Sequence, residues 1–266
     1  MSMQPLADWP LAERRQIGGI LTDIDDTLTT HGRLSAEVLD AVQRAQQNGL
    51  KIIAVTGRPT YWTLPLLRLC GFDAVIAENG ASAFWLDQQG QLQSMWYADA
   101  TTRQEHRQQL QAFAGVMSEH FPQVQVADDA AMRVGDLAFD IAEHIPPLSA
   151  GELAQVADLI RDYGFFATTS SIHAHASVTY FSKQSMSQRV LQEVFGIADE
   201  QARRSYVFVG DSANDASMFA HYPYSVGVAN IRLFLDRFDA HPRYVTRQSY
   251  GAGFVELVAT LIAYPG

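Results

Sequence analysis

Hydrophobic and polar positions follow two rhythms along the chain. In the first eighty or so positions, short β-branched apolar runs alternate with stretches of helical spacing. Ile17–Ile24 and Leu50–Val55 read as buried strands, and Asp73–Ala77 as a third. Between the first two, Leu34, Val38, Val42 and Ala45 recur at helical spacing as far as Asn48, with Ser35 placed as an N-cap and Gly49 just past the end. Tyr61–Leu69 reads as a second helix, stopped by Gly71. Strand, helix, strand, helix, strand in this order predicts a parallel sheet with right-handed crossovers.

The rhythm changes after Asn79-Gly80. Ala83–Leu86 and Leu92–Tyr97 alternate around the turn-like Gln88-Gln89-Gly90 and predict a hairpin. A polar helix is expected over Thr101–His120, short strands near Val124–Ala127 and Leu137–Ile141, a break at Pro146-Pro147, and a helix over Ser149–Tyr163. Strands are then expected at Phe165–Ser171 and Ser177–Phe181. From about Ser185 the first rhythm returns. The helix Met186–Phe195 precedes the strand Ser205–Val209, and the helix Ala213–Ala220 precedes Tyr224–Val228. Ile231–Phe238 and Gly253–Ala263 read as helices around a short strand, Tyr244–Thr246. The fold class expected is α/β: a Rossmann-like parallel-sheet core, residues 1–81 and 183–266, split by an inserted α+β cap domain, residues 82–182.

Composition narrows the function classes. Of 266 residues 47% are hydrophobic, enough to bury a core. Nineteen basic against 29 acidic residues give a formal charge of −10, which argues against binding nucleic acid by bulk attraction. The single cysteine, Cys70, excludes an intrachain disulfide and a cysteine-based zinc site. The first residues lack the charged-then-apolar pattern of a secretory signal, and no apolar stretch is long enough to span a bilayer. The expectation is a cytoplasmic protein with no membrane or nucleic-acid partner.

Four sites in the chain carry chemistry. Asp23-Ile24-Asp25-Asp26-Thr27 follows a buried strand, and three acids crowded there call for a compensating cation unless they only cap a turn. Gly210-Asp211-Ser212-Ala213-Asn214-Asp215 also leaves an apolar strand, with Asp211 and Asp215 four apart at the start of a helix. Two acidic strand ends at the switch in strand order would build an oxygen-rich site suited to Mg²⁺. Thr56-Gly57-Arg58-Pro59 offers a hydroxyl and free amides beside a glycine, which can hold a phosphate or form a plain strand-to-helix turn. Among 17 arginines there are two lysines, Lys51 and Lys183, and the second lies where the insert rejoins the core. There a compact point charge would be in demand, the alternative being a surface lysine.

In this order the four pieces resemble the haloacid dehalogenase superfamily of aspartate-nucleophile phosphohydrolases. Asp23, Asp25 and Thr27 match the first motif, Thr56 the second, Lys183 the third, and Gly210-Asp211 with Asn214-Asp215 the fourth. The insert between the second and third motifs, preceded by Glu78-Asn79-Gly80-Ala81, resembles the C2-capped, type IIB group. The tail from Val228-Ala229-Asn230 to Tyr250-Gly251 is similar to that of sugar-phosphate, phosphoglycolate and mannosyl-phosphoglycerate phosphatases. One departure is Gln184, where many relatives carry glycine after the lysine.

The resemblance implies that Asp23 is the nucleophile and Asp25 the general acid and base. It implies Mg²⁺ held by Asp23, the Asp25 carbonyl and Asp211 with Asp215 in support, and phosphate bound by Thr56, Gly57 and Lys183. Asn214 would orient Lys183 or the aspartates, and Arg58 would help make the pocket positive. The substrate implied is a small-molecule phosphate ester. A phosphotransferase or mutase on the same site, or a noncatalytic phosphometabolite-binding protein, are the alternatives. The insert would act as a lid. His173 and His175 would share one face of an extended stretch and contact the leaving group, or else be solvated or hydrogen-bonded loop residues. Arg133 is expected in an exposed salt bridge or against a substrate anion. The oligomeric state is left open.

Overall fold

The computed structural model describes residues 3–170, 172–233, 235 and 240–263. Its main sheet has nine strands among the described residues. In spatial order they are Gln4–Pro5, Tyr244–Val245, Ser225–Gly227, Tyr206–Gly210, Gly19–Thr22, Lys51–Val55, Ala74–Ala77, Ser82–Leu86 and Leu92–Trp96. The first seven run parallel to one another. Gly19–Thr22 lies at the centre, and the chain runs outward from it in both directions, first through Lys51–Val55 and later through Tyr206–Gly210. That makes its carboxyl end the switch point where α/β sheets bind ligands. The register sets Thr22 beside both Ala54 and Val209, so the residues that follow each strand emerge at one level.

The helices form for the reasons the pattern gave. Ala36–Gln47 starts at Ser35, whose hydroxyl accepts from the Val38 amide, and buries Val38, Ala41, Val42 and Ala45 against the sheet. Gly49 takes φ +81° at its end. Ala100–His120 starts at Asp99, and Ala150–Asp162 at a reciprocal capping box between Ser149 and Glu152. These two long helices cover one face of a separate three-stranded antiparallel sheet, ordered Phe166–Thr169, His173–Ser177, Leu137–Asp140. Leu110, Phe113, Phe139, Val156, Ile160 and Ala174 form the core between them. Among the described residues no helix is long and apolar enough to cross a membrane.

Several expectations are corrected. The hairpin Ser82–Trp96, placed by the sequence in the insert, extends the core sheet by pairing antiparallel with Ala74–Ala77. Alternation alone does not reveal which sheet a hairpin joins. What reverses the chain is Glu78 and Asn79, both in the left-handed region at φ +49° and +53°, which lay the hairpin back on the strand it has just left. The separate lobe therefore begins after Trp96 rather than at residue 82. A strand expected at Ser177–Phe181 lies instead at His173–Ser177, because the Ser177 hydroxyl bonds the Thr179 carbonyl and turns the chain. Val124–Ala127 makes an isolated bridge from Val126 to Phe139 rather than a strand. A short helix, Asp199–Ser205, was not foreseen. The helix expected from Met186 begins at Lys183, capped by Ser182. Of the helix expected over Ile231–Phe238, Ala229–Leu233 is a 3-10 helix, while positions 234 and 236–238 lie outside the described residues, as does Ser171.

Gly80 fixes how the chain turns into the core hairpin beside the segment that returns from the lobe. It has φ +111°, and a Cβ there would lie 2.2 Å from the carbonyl oxygen of Ser182, where the insert returns. Gly80→Ala is expected to lose about 2 kcal/mol or more, since strained backbone and a backbone clash add. Urea unfolding with an unchanged m-value checks this.

Candidate active site

Three parallel strands deliver the acidic and hydroxyl groups. Asp23 follows the central strand, and its amide continues the ladder to the Val209 carbonyl at 2.9 Å. Asp211 follows Gly210 on the next strand, and Thr56 follows Val55 on the other side, with its amide on the Ile76 carbonyl at 2.9 Å. Lys183 comes from the first turn of its helix. Its ammonium lies 2.7 Å from Asp23 Oδ1 and 2.7 Å from Asp215 Oδ1. All four of Asp23, Lys183, Asp211 and Asp215 are buried, Lys183 at 1% exposure.

The fourth motif is a compact loop. Asp215 Oδ2 accepts from the amides of Asp211 and Ser212, at 3.1 and 3.2 Å. It can do so because position 210 is glycine: a Cβ there would meet that oxygen at 2.3 Å. Asp211 accepts from the Thr27 hydroxyl at 3.1 Å and from Asn230 at 3.0 Å. Carboxylate oxygens of Asp23, Asp211 and Asp215 lie within 4.8 Å of one another. One ammonium cannot balance three buried carboxylates. Burial pushes the Asp23 carboxyl up to about 8, with Asp215 and Asp25 adding to the rise and Lys183 opposing it. Asp211 is likewise pushed well above the carboxylate range by burial and by Asp23 and Asp215. The ammonium of Lys183 keeps its proton: burial would lower its pKa, but Asp215 and Asp23 raise it. A cluster of hard oxygens short of positive charge is chemically suited to a small divalent cation such as Mg²⁺. Asp23 Oδ2 accepts no hydrogen bond among the described residues, while both oxygens of Asp215 are engaged.

Asp25 and Arg58 meet as a bidentate pair. The Arg58 Nε lies 3.0 Å from both Asp25 oxygens, and a terminal nitrogen 2.9 Å from one of them. Arg58 also reaches Glu143 of the insert at 3.2 Å. Its charge, expected to make the pocket positive, is thus matched by two carboxylates. The Thr56 hydroxyl accepts from the Arg58 amide at 3.0 Å, leaving its proton free to donate. Gly57 lies against Asn79, whose Oδ1 a Cβ would meet at 3.2 Å.

Other expectations need revision. Asn214 does not bond Lys183 or the aspartates; it donates to Asn79 Oδ1 at 3.2 Å and accepts from the Ser212 hydroxyl at 2.6 Å. Arg133 is buried, not exposed. It pairs with Asp129 at 2.7 Å and Asp136 at 3.1 Å, and donates to the Gly57 carbonyl at 3.0 Å. His173 and His175 do share one face of a strand, with Ala174 and Ala176 on the other, and both imidazoles are buried. That overturns the solvated reading. His175 Nδ1 lies 2.8 Å from Asp136, and His173 Nε2 lies 2.8 Å from Glu143. Together with Asp23, Asp25 and Arg58 they wall a cavity of about 20 Å³, room for roughly one water.

Two functional positions escaped the sequence reading. Asn230, noted only as part of the tail, donates to Asp211 and to the Asp26 carbonyl, and accepts from the Tyr250 amide at 2.8 Å. Glu78, noted only for its place before the insert, is fully buried. Its carboxylate accepts from the amides of Thr60, Val134 and Gly135, at 2.9, 3.0 and 2.6 Å. A buried glutamate following a strand was the available clue, since such a charge must find donors.

A family model for haloacid dehalogenase-like hydrolases matches residues 20–118. A phosphoglycolate phosphatase of Methanosarcina acetivorans is 26% identical over 91% of this chain and 95% of its own. The sucrose-phosphatase of Synechocystis, solved with sucrose and phosphate, superposes with a TM-score of 0.64 at 19% identity, covering 93% of this chain and 98% of that one. A sugar phosphatase of subclass IIB of the same superfamily gives a TM-score of 0.59 at 19% identity over 90% and 96%. The central, mostly parallel sheet agrees with these structural matches. Over residues 20–118 the chain is thus similar to the haloacid dehalogenase-like hydrolases, and its fold is that of these solved structures.

Two outcomes follow from this geometry. Glu78→Gln places an NH₂ against backbone donors and should cost about 2–4 kcal/mol in unfolding free energy, read by urea denaturation. His173 is pushed down to about 4 by burial and by His175 and Arg133, with Glu143 opposing. An unfolded histidine titrates near 6.5, so His173 stabilises fully above that pH. As pH falls towards 4, the unfolded chain binds a proton the folded one refuses, and this contribution is lost. The stability of His173→Gln relative to the unaltered protein should therefore rise between pH 6.5 and 4, as measured by unfolding at each pH.

Proposed function

We propose that the protein is a Mg²⁺-dependent phosphatase that hydrolyses a small phosphorylated metabolite through an aspartyl-phosphate. The observation that carries this reading is the meeting of Asp23, Lys183, Asp211 and Asp215 at the switch point of the sheet, with one Asp23 oxygen left free. The curated relative's activity on phosphoglycolate supports the reaction class.

Asp23 Oδ2 attacks phosphorus, forming one P–O bond as the bond to the ester oxygen breaks. Asp25 protonates the departing oxygen. It then takes a proton from the water that cleaves the aspartyl-phosphate, which releases phosphate and restores Asp23. Lys183 and the Thr56 hydroxyl, with amides at Gly57, bind the non-bridging oxygens. Asp23, Asp211 and the Asp25 carbonyl, with Asp215 in support, would hold Mg²⁺, which supplies the positive charge that lets a carboxylate approach a phosphate dianion. Lys183 also keeps Asp23 aimed, because the oxygen it binds fixes the direction of the other. The lobe after Trp96 serves as a cap: closed, it excludes bulk water and walls the small cavity beside Asp23. Access for substrate requires it to open.

Phosphate release from a panel of sugar phosphates, phosphoglycolate, glycerate phosphates and nucleotides, with Mg²⁺ or EDTA, tests the reading. Release should need Mg²⁺. Asp23→Asn should lower kcat by on the order of 10³-fold or more with no loss of Tm, since it removes one of three crowded buried charges. Full activity in that variant would rule out the nucleophile.

A further inference from the structure

Away from the acidic cluster of the core, the cap gathers a second set of metal-binding side chains. Among the described residues, a carboxylate oxygen from each of Asp128 and Glu143 and an imidazole nitrogen of His144 lie within 4.8 Å of one another. Two segments deliver them. The Ala127 amide bonds the Ala138 carbonyl at 2.9 Å and the Asp140 amide the Gln125 carbonyl at 2.8 Å, which lays the stretch before Asp128 along the strand Leu137–Asp140. Past that strand the Asp140 carboxylate accepts from the amides of Ala142, Glu143 and His144, at 3.0, 2.8 and 2.9 Å, and so curls the chain. His144 Nε2 comes to 3.3 Å from Asp128 Oδ2.

An exposed imidazole beside a carboxylate can be a plain ion pair. His173, from the adjoining strand, argues for more. It sits opposite Asp140 in the register. Its side chain is 3% exposed, and its Nε2 has no hydrogen-bond partner. That nitrogen points at Glu143, 2.8 Å from Oε2, which is also buried and without a hydrogen-bond partner. The two are not aligned to share a proton. Buried polar atoms are nearly always satisfied. A basic nitrogen and a carboxylate oxygen left facing each other this closely can both be satisfied by one electron-pair acceptor, a metal cation.

Charge and donor type agree. Asp128 and Glu143 bring two carboxylates. Among the described residues, Arg58 is the one lysine or arginine in ion-pair contact with either, and it is shared with Asp25. The cluster is therefore short of positive charge. Imidazole nitrogen combined with carboxylate oxygen suits zinc and its neighbours cobalt and nickel. Magnesium favours oxygen ligands and keeps several of its waters. Asp128 and His144 lie largely in solvent, so an ion can enter and water can fill the rest of its coordination.

We propose that the cap carries a zinc-class metal site of its own, ligated by Asp128, Glu143 and His144 and completed on its buried side by His173. It is separate from the core cluster and needs no assumption about the reaction there. Because Glu143 also meets Arg58, the ion and the arginine draw on one carboxylate.

The test titrates the intact protein with Zn²⁺ by calorimetry and with Co²⁺ by visible absorption, after dialysis against a chelator and in saturating Mg²⁺. One ion per chain should bind at the cap, and bound Co²⁺ should show the ligand-field bands of a nitrogen-containing site. His144→Gln, Asp128→Asn and His173→Gln should each weaken the binding by about tenfold or more. Thermal unfolding without Zn²⁺ checks that each variant folds, and Glu143→Gln takes the place of His173→Gln where that one does not. No binding, or an affinity unmoved by His144→Gln or Asp128→Asn, overturns the inference. An affinity unmoved by His173→Gln or its substitute leaves an exposed pair that holds an adventitious ion only, and overturns it as well. None of these readings needs turnover, so a chain that binds Zn²⁺ at the cap but releases no phosphate keeps this site and loses the reading of the core.

Discussion

The ammonium of Lys183 lies 2.7 Å from a carboxylate oxygen of Asp23 and 2.7 Å from one of Asp215, with all three side chains shut away from solvent. Taking three charges out of water is costly unless each finds a partner with good geometry. The surrounding structure supplies it. Ser182 caps the helix that presents Lys183. Gly210 leaves room for Asp215 to turn its second oxygen onto two amides. Asn230 and Thr27 hold Asp211 in the same cluster. Segments as much as 204 positions apart are fixed to one another here, so the site is also a keystone of the core.

A second set of charged contacts binds the cap to the core. Glu78, at the mouth of the core sheet, grips the backbone of Val134 and Gly135. Arg133, next to that grip, reaches the Gly57 carbonyl in the phosphate loop. Across the site, Glu143 of the cap meets Arg58, which holds Asp25. The two sets differ in kind. Glu78 is fully buried and bonded to backbone, whereas the Glu143–Arg58 contact is partly exposed. Exposed ion pairs contribute little and exchange readily with water; a buried carboxylate on several amides does not.

The core was largely legible in the sequence because its information is local. Apolar runs end at Asp23, Val55 and Val209, and the chemistry-bearing residue types follow them directly, so strand order alone brings them together. Ser35, Asp99 and Ser149 mark helix starts by their own side chains. The hairpin at Ser82–Trp96 was misassigned because alternation is the same in either sheet, and the decision lies in two left-handed residues, Glu78 and Asn79, whose types do not announce it. Arg133 was misjudged, and the burial of His173 left open, because burial of a charged or titratable group depends on partners distant in sequence. Asp129 and Asp136 were near enough to be read, but Gly57 and Glu143 were not. Asn214 was given to Lys183 or the aspartates on its place in a motif, while its actual partner, Asn79, lies 135 positions away.

The grip of Glu78 on residues 134 and 135 has a mechanical meaning. One corner of the cap is riveted to the core, while across the site an ion pair between Glu143 and Arg58 ties it. Such a body cannot lift off evenly. Under the function proposed above, opening would turn about the edge beside Gly57 and part Glu143 from Arg58, leaving Arg58 on Asp25 alone.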